Sequence, residues 1–594
     1  MMLHHREHHI GSLLKKPALR MLPFVLAGTI GLTSGCSKET LKGSDDSPDQ
    51  ASEPTFSGPD PNAKLNVRTM AANATSYAIT YGALDPATIE NLKTYPLVIV
   101  HPYNGNITRS QIMQIKQGVK PDDPSDNAVV LCYISIGEDS RTFELTEDQM
   151  RNDKEKRFSG DGSGPSIDPR GKGAGGKSLF GINPKGTPTN GGFASYYLND
   201  NAVNCKGGPD GKPDNNPFFK TRFVNAGDPE WYRVVNDMKM NVDTHTPPGL
   251  KEMMTDSFGR SLGCDGVFLD TIDTAAPNKY TGTVCSDNEN YSNSEWTAKG
   301  FTDFIKRLRA DDSYKDKVIL QNRGLFYFDP RLPHYEVSAR GTIDISFFES
   351  YYLDNNSDSV VSPYYFDNKY NIAPKLMAEA NRPDGFKVLS LGYANGFNDA
   401  AKPGIDIKTL LEQSILGFGT LMTDVKEAQE VGFVPYITSA SVEFVNSFVK
   451  NNISLVDSTP PQWSSTYNAN YDPPGVPTPR AGIRKAEKTA SGSVTLSWDV
   501  ALDMNRVSYV LYYQTTVAPF DFTTATRLVL TPSVGDGYNQ VWSATIPDQA
   551  LSTVYPYQQT ITGLKPDVTY RFVVRTVDSA GNEDTNTNFI EVKP

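Results

Sequence analysis

Short runs of β-branched and aromatic residues recur along the middle of the chain, separated by stretches with helical spacing. The runs are Tyr77–Tyr81 (YAITY), Leu97–His101 (LVIVH), Ala128–Ile136 (AVVLCYISI), Gly266–Asp270 (GVFLD), Lys317–Gln321 (KVILQ), Ile343–Phe348 (IDISFF), Lys387–Leu391 (KVLSL) and, more weakly patterned, Gly419–Thr423 (GTLMT). Helical patterns fall between them at Pro86–Thr94, Arg109–Gln117, Asn293–Asp311, Tyr370–Ala380 and Lys408–Gly417. Strands that are apolar almost throughout are buried on both faces, which predicts a parallel sheet. Eight such units between Ser76 and Lys450 predict a (β/α)8 barrel. A doubly wound open sheet is the alternative, but no G-x-G-x-x-G follows the first strand.

The last hundred residues have a different period. Ser493–Val500 (SVTLSWDV), Val507–Gln514, Val541–Ile546 and Thr569–Asp578 (TYRFVVRTVD) alternate with turns, the signature of a small antiparallel immunoglobulin-like sandwich with Trp498 in its core. Leu564 to Tyr570 (LKPDVTY), the strand after it and Asp578-Ser-Ala-Gly-Asn582 resemble fibronectin type III domains, with Tyr570 at their tyrosine-corner position. The expected organisation is a barrel over 65–455, a proline-rich linker over 456–482 and the sandwich over 483–594.

The N-terminus reads as processing signal rather than fold. Lys15, Lys16 and Arg20 precede an apolar run, Met21–Thr33, too short to span a bilayer as a mature helix. Ser34-Gly35-Cys36 follows, resembling the lipobox of bacterial lipoproteins. Residues 1–35 are therefore expected to be a signal peptide, Cys36 the lipidated residue and 36–64, rich in Ser, Asp and Pro, a flexible tether. The expected location is the bacterial cell envelope, with membrane contact through that lipid only. An ordinary secretory signal with an incidental cysteine is the alternative.

Composition removes several functions. The net charge of −12 lacks the basic footprint of a nucleic-acid binder. No C-x-x-C occurs, and His101, His245 and His334 are the histidines outside the leader, so no metal site and no cofactor are expected. Export makes disulfides possible. Cys205 and Cys285, in loop-like text, are the guessed bridge, while Cys132 and Cys264, in apolar runs, read as buried thiols. Gly171–Ser178 (GKGAGGKS) matches the P-loop pattern, but neither a strand before it nor a helix after it is present, so it reads as part of a long loop insertion over 141–224. A monomer is expected.

The candidate chemistry sits at strand ends. In a barrel of this class, polar residues at the C-terminal ends of strands face the active site. Here those positions hold Glu138 and Asp139, Asp270 and Asp273, Asn322 and Arg323, Glu349, and Tyr393. Cys132–Arg141 (CYISIGEDSR), Phe223–Val235 (FVNAGDPEWYRVV) and Gly263–Asp273 (GCDGVFLDTID), in this order, resemble glycoside hydrolase family 114, the endo-α-1,4-polygalactosaminidases. The resemblance implies a (β/α)8 fold and cleavage of α-1,4-linked galactosamine or N-acetylgalactosamine polymers. It also implies a catalytic pair at Asp270 and Glu349. Apolar surroundings favour a protonated carboxyl, so Glu349, among Phe347, Phe348, Tyr351 and Tyr352, is assigned general acid/base and Asp270 nucleophile. Glu138, Arg141, Asp273, Tyr103, Asn322 and Tyr393 are the candidate substrate-binding residues, and the polysaccharide is the expected partner. His101-Pro102-Tyr103 after the second strand and the long insertion depart from the family pattern. A glycosidase for another polysaccharide and a non-catalytic glycan-binding lipoprotein are the alternatives.

Overall fold

The computed structural model describes residues 58–103, 105–167, 192–199, 211–216, 219–277, 294–330, 332–356, 359–394, 417–439, 441–463, 482–530 and 557–594. The leader, Cys36, most of the tether, Gly171–Ser178, Cys205 and Cys285, the run Val541–Ile546 and nearly all of the helical pattern Lys408–Gly417 lie outside the described residues.

Eight parallel strands form one sheet: β1 Ala78–Thr80, β2 Leu97–Val100, β3 Val129–Ser135, β4 Gly266–Asp270, β5 Val318–Asn322, β6 Ile345–Glu349, β7 Lys387–Tyr393 and β8 Val434–Thr438. Each pairs with its neighbours in chain order, as in a TIM-like barrel. The ends of the sheet meet without a ladder. Tyr81 N–H donates to Val442 O at 2.7 Å, and the Tyr77 and Tyr436 rings lie 5.4 Å apart across the seam. The strands are buried almost throughout, as their unbroken apolar text requires.

The helices begin where the sequence provides caps. Asp85 accepts from Thr88 N–H ahead of Pro86–Leu92. Thr108 and Gln111 form a reciprocal capping box ahead of Arg109–Lys116. The weakly patterned Gly419–Thr423 is not a strand: it lies in the helix Gly417–Glu430, where Leu421, Val425 and Ala428 are buried at helical spacing. The eighth strand is Val434–Thr438 instead. It carries Pro435, which the sheet tolerates because β8 lies at the sheet's end.

A second correction concerns the cysteines. Cys132 on β3 and Cys264 just before β4 are not separate thiols but form a disulfide between neighbouring strands.

Beyond the barrel, sheets of three and four antiparallel strands contain Ile483–Ala490, Ser493–Trp498, Val507–Thr515 and Tyr570–Asp578. Trp498 is fully buried against Tyr509 and Tyr557. Tyr570 OH accepts from Lys565 N–H at 3.1 Å, the bond expected of a tyrosine corner. Gln462–Trp463 pairs with Ala501–Leu502, and the Trp463 indole donates to Asp584 at 2.7 Å.

The strand entry end of the barrel is closed by the segment that precedes it. Lys116 is wholly buried and reaches Asp60 at 2.6 Å and Asp265 at 2.8 Å. Asn62 donates to Ala128 O and to Asp265 Oδ2, both at 2.8 Å. Arg68, on helix Val67–Asn73, pairs with Asp344 at 2.7 Å. Asp265, on the entry side of its strand, is thereby a structural residue.

Candidate active site

Three neighbouring strands end in side chains that meet. Asp270 closes β4, Asn322 closes β5 and Glu349 closes β6. In each case the next residue, Thr271, Arg323 or Ser350, has a positive φ of 64°, 54° or 59°. None of the three is glycine, so each strand exit carries backbone strain. The repeated turn breaks the strand direction at the same level on all three strands, leaving the terminal side chains together on the rim.

The Asn322 amide joins the two acids. Its Nδ2 donates to Asp270 Oδ1 at 2.7 Å and to Glu349 Oε2 at 3.2 Å, while its Oδ1 is buried without a partner. Oxygens sharing one nitrogen at those distances are separated by about 6 Å at most. Tyr133 OH donates to the other Asp270 oxygen at 2.6 Å, and Tyr393 OH to the other Glu349 oxygen at 2.5 Å. Burial, reinforced by the charge of Asp270, raises the Glu349 pKa, opposed by the Tyr393 and Asn322 hydrogen bonds and the Arg323 charge.

Asp273 stands beside the pair. It accepts from Arg323 Nε at 2.7 Å and from Gly324 N–H at 2.9 Å, and Arg323 also donates to Glu349 O at 3.1 Å. Arg323 is therefore tied to the rim as the countercharge of Asp273.

Glu138 follows β3. Asn216 Nδ2 donates to its Oε2 at 2.8 Å and Thr221 Oγ1 to the same oxygen at 2.5 Å. Burial pushes its carboxyl up to about 7, with Asp270 and Asp139 adding to the rise. Asn216 and Thr221 come from the 141–224 insertion, whose described parts are ordered structure: Glu138–Asp139, Thr221–Phe223 and Asn215–Asn216 pair as a small antiparallel sheet.

Arg141, predicted to bind substrate, and Trp231, within the Phe223–Val235 motif, sit away from the pair. Arg141 is buried in a two-pronged pair with Asp139, at 2.8 and 2.7 Å, and also donates to Tyr196 OH. It orders the insertion rather than reaching the Asp270–Glu349 pair. Trp231, a candidate sugar platform by its type, is a core side chain whose indole donates to Ile136 O at 2.9 Å.

Tyr103 lies half-buried against His101, whose ring also packs on Tyr81 and Tyr133. Burial lowers the His101 pKa to about 4, so the ring is neutral at physiological pH. This aromatic set runs from β1 to β3 and ends at the tyrosine that holds Asp270.

Tyr133, Asn216 and Thr221 are missing from the sequence reading. Tyr133 had a signal: a polar tip in an apolar strand, two residues before Ser135, which lies opposite Asp270 in the sheet register. Asn216 and Thr221 had none, because the turn that returns them to Glu138 lies some eighty residues downstream.

Fold and site together define a TIM-like barrel with a carboxyl-rich centre at its strand C-termini, a class that includes glycoside hydrolases. No family model matches the chain, and no curated protein matches it. Among solved structures, similarity to the FN5 domain of Drosophila Lar covers 19% of this chain and 95% of that one, at 20% identity and a TM-score of 0.13. The FN1–FN3 domains of chicken CNTN1 are matched over 18% of this chain and 29% of that one, at 17% identity and a TM-score of 0.13. The chitinase ChiA74 from Bacillus thuringiensis is matched over 62% of each chain, at 12% identity and a TM-score of 0.17. Among the described residues, no helix is long and apolar enough to cross a membrane.

Proposed function

We propose that the barrel is a retaining endo-glycosidase acting on an α-1,4-linked polysaccharide of galactosamine and N-acetylgalactosamine, held at the cell envelope through a lipid on Cys36. The observation that carries the reaction is the shared Asn322 amide. It holds the nearer oxygens of Asp270 and Glu349 within about 6 Å of each other, short of the roughly 6.5–9.5 Å that leaves room for an inverting water. Asp270, with short donors on both oxygens, is oriented to attack the anomeric carbon as the nucleophile. Glu349, its carboxyl raised by burial, gives its proton to the leaving glycosidic oxygen. It then takes a proton from the water that releases the glycosyl–Asp270 ester.

The substrate class rests on the sequence resemblance and on the charge of the rim. Among the described residues, the cation at the pair, Arg323, is paired with Asp273. An amine-bearing or neutral sugar suits such a rim, and a polyanion does not.

The test is product release from partly deacetylated poly-α-1,4-galactosamine by the full chain, beside Asp270→Ala and Glu349→Ala, with the anomer of the first product read by NMR. Oligosaccharides of retained configuration from the wild type alone are expected. Equal binding by all three proteins without cleavage would instead identify a glycan-binding lipoprotein.

A further inference from the structure

We propose that Glu138 is a substrate-binding acid delivered to the groove by the insertion after β3, and that its Oε1 donates a hydrogen bond to an oxygen of the bound sugar. The proposal rests on the glycosidase reading and adds a residue outside the reacting pair.

Three observations carry it. The first is placement. Ser135 lies opposite Asp270 in the β3–β4 register, and Glu138 follows three residues later. Between them, a Cβ on Gly137 would lie 2.1 Å from Thr271 O, so the backbone leading to Glu138 runs against the residue after Asp270. The second is the pattern of its bonds. Asn216 and Thr221 both donate to Oε2, and no described residue donates to Oε1. With one oxygen already accepting twice, the proton of the neutral acid belongs on the other, which makes Oε1 a donor.

The third is charge. The titratable groups that act on Glu138 are Asp139 beside it, Tyr133 on β3 and Asp270 on β4. The nearby cation Arg141 is committed to Asp139. Burial and these acids favour the neutral form up to about pH 7. A carboxyl that served to join the small sheet alone would gain from a donor on each oxygen. The insertion instead supports one oxygen and leaves the other for a ligand.

The test is steady-state kinetics of the full chain on partly deacetylated poly-α-1,4-galactosamine from pH 5 to 9. The wild-type KM is expected to rise about tenfold across neutral pH, as ionisation removes the donor. Glu138→Gln keeps an N–H donor and cannot ionise, so its KM is expected to stay at the acid-side value throughout. Glu138→Ala is expected to raise KM about tenfold at every pH, with kcat changing less than KM. Thr221→Val removes a donor that favours the ionised form, so the rise moves to higher pH, and this variant decides the matter where a Glu138 variant does not fold. A Glu138→Gln profile identical to wild type, a Glu138→Ala KM within twofold of it, or an unmoved rise in Thr221→Val overturns the proposal while leaving the glycosidase reading intact. Absence of product from the wild type overturns the glycosidase reading, and this inference falls with it.

Discussion

At the entry end of the barrel, Asp265 is met by Lys116 at 2.8 Å, by Asn62 at 2.8 Å and by Val130 N–H at 3.0 Å. Asp344 is met there by Arg68 at 2.7 Å and Arg309 at 2.5 Å. At the exit end, Asp270, Glu349 and Glu138 are held by hydroxyls and amides: Tyr133, Asn322, Tyr393, Thr221 and Asn216. The same sheet thus buries acids in two ways. Cations neutralise the charge at one end and lock it in place. Neutral donors orient these three carboxyls at the other end, where Arg141 and Arg323 pair with Asp139 and Asp273 instead. The first arrangement suits stability, the second chemistry.

Five substitutions test that contrast. Asp270→Ala or Glu349→Ala is expected to cut the rate of hydrolysis about a thousandfold or more, with the melting temperature unchanged or raised, by product assay and calorimetry on the same samples. A matching loss of stability would erase the distinction between the ends. Lys116→Met leaves Asp60 and Asp265 buried without their cation. It is expected to cost about 3–5 kcal/mol in denaturant unfolding, with kcat per folded molecule retained.

Tyr393→Phe removes a donor that favours ionised Glu349, so the Glu349 pKa moves further up. The alkaline limb of the kcat–pH profile is expected to shift to higher pH, with kcat falling about tenfold. A shift to lower pH would contradict the donor role. Ser350→Gly relieves a positive φ and deletes a buried hydroxyl that has no partner. It is expected to raise stability by about 1 kcal/mol and to leave KM unchanged.

The barrel was legible where burial on both faces writes an unbroken apolar run, which holds for β1 to β7. The eighth strand escaped because Pro435 interrupts it and because the neighbouring helix holds an apolar stretch, Leu421–Met422, that imitates a short strand. The pair Asp270 and Glu349 was legible because strand-end position is a local property of the sequence. Asn322 was legible as a rim residue, but not as the bridge between the acids, which depends on the sheet register. Arg141 shows the opposite case: an arginine beside a strand-end acid reads as a substrate group, yet Asp139 two residues away captures it. The Cys132–Cys264 bond was illegible for a similar reason. Cys264 lies in the approach to β4 rather than within it, and adjacency of β3 and β4 across a long insertion is a fact of topology.

The clamp of Asp60 and Asn62 onto the entry end also governs how the molecule can be held. Asp60 and Asn62 bind at the face opposite the carboxyl rim. A pull on the chain at Asp60 loads Lys116 and its two aspartates first, at the far end of the sheet from Asp270 and Glu349.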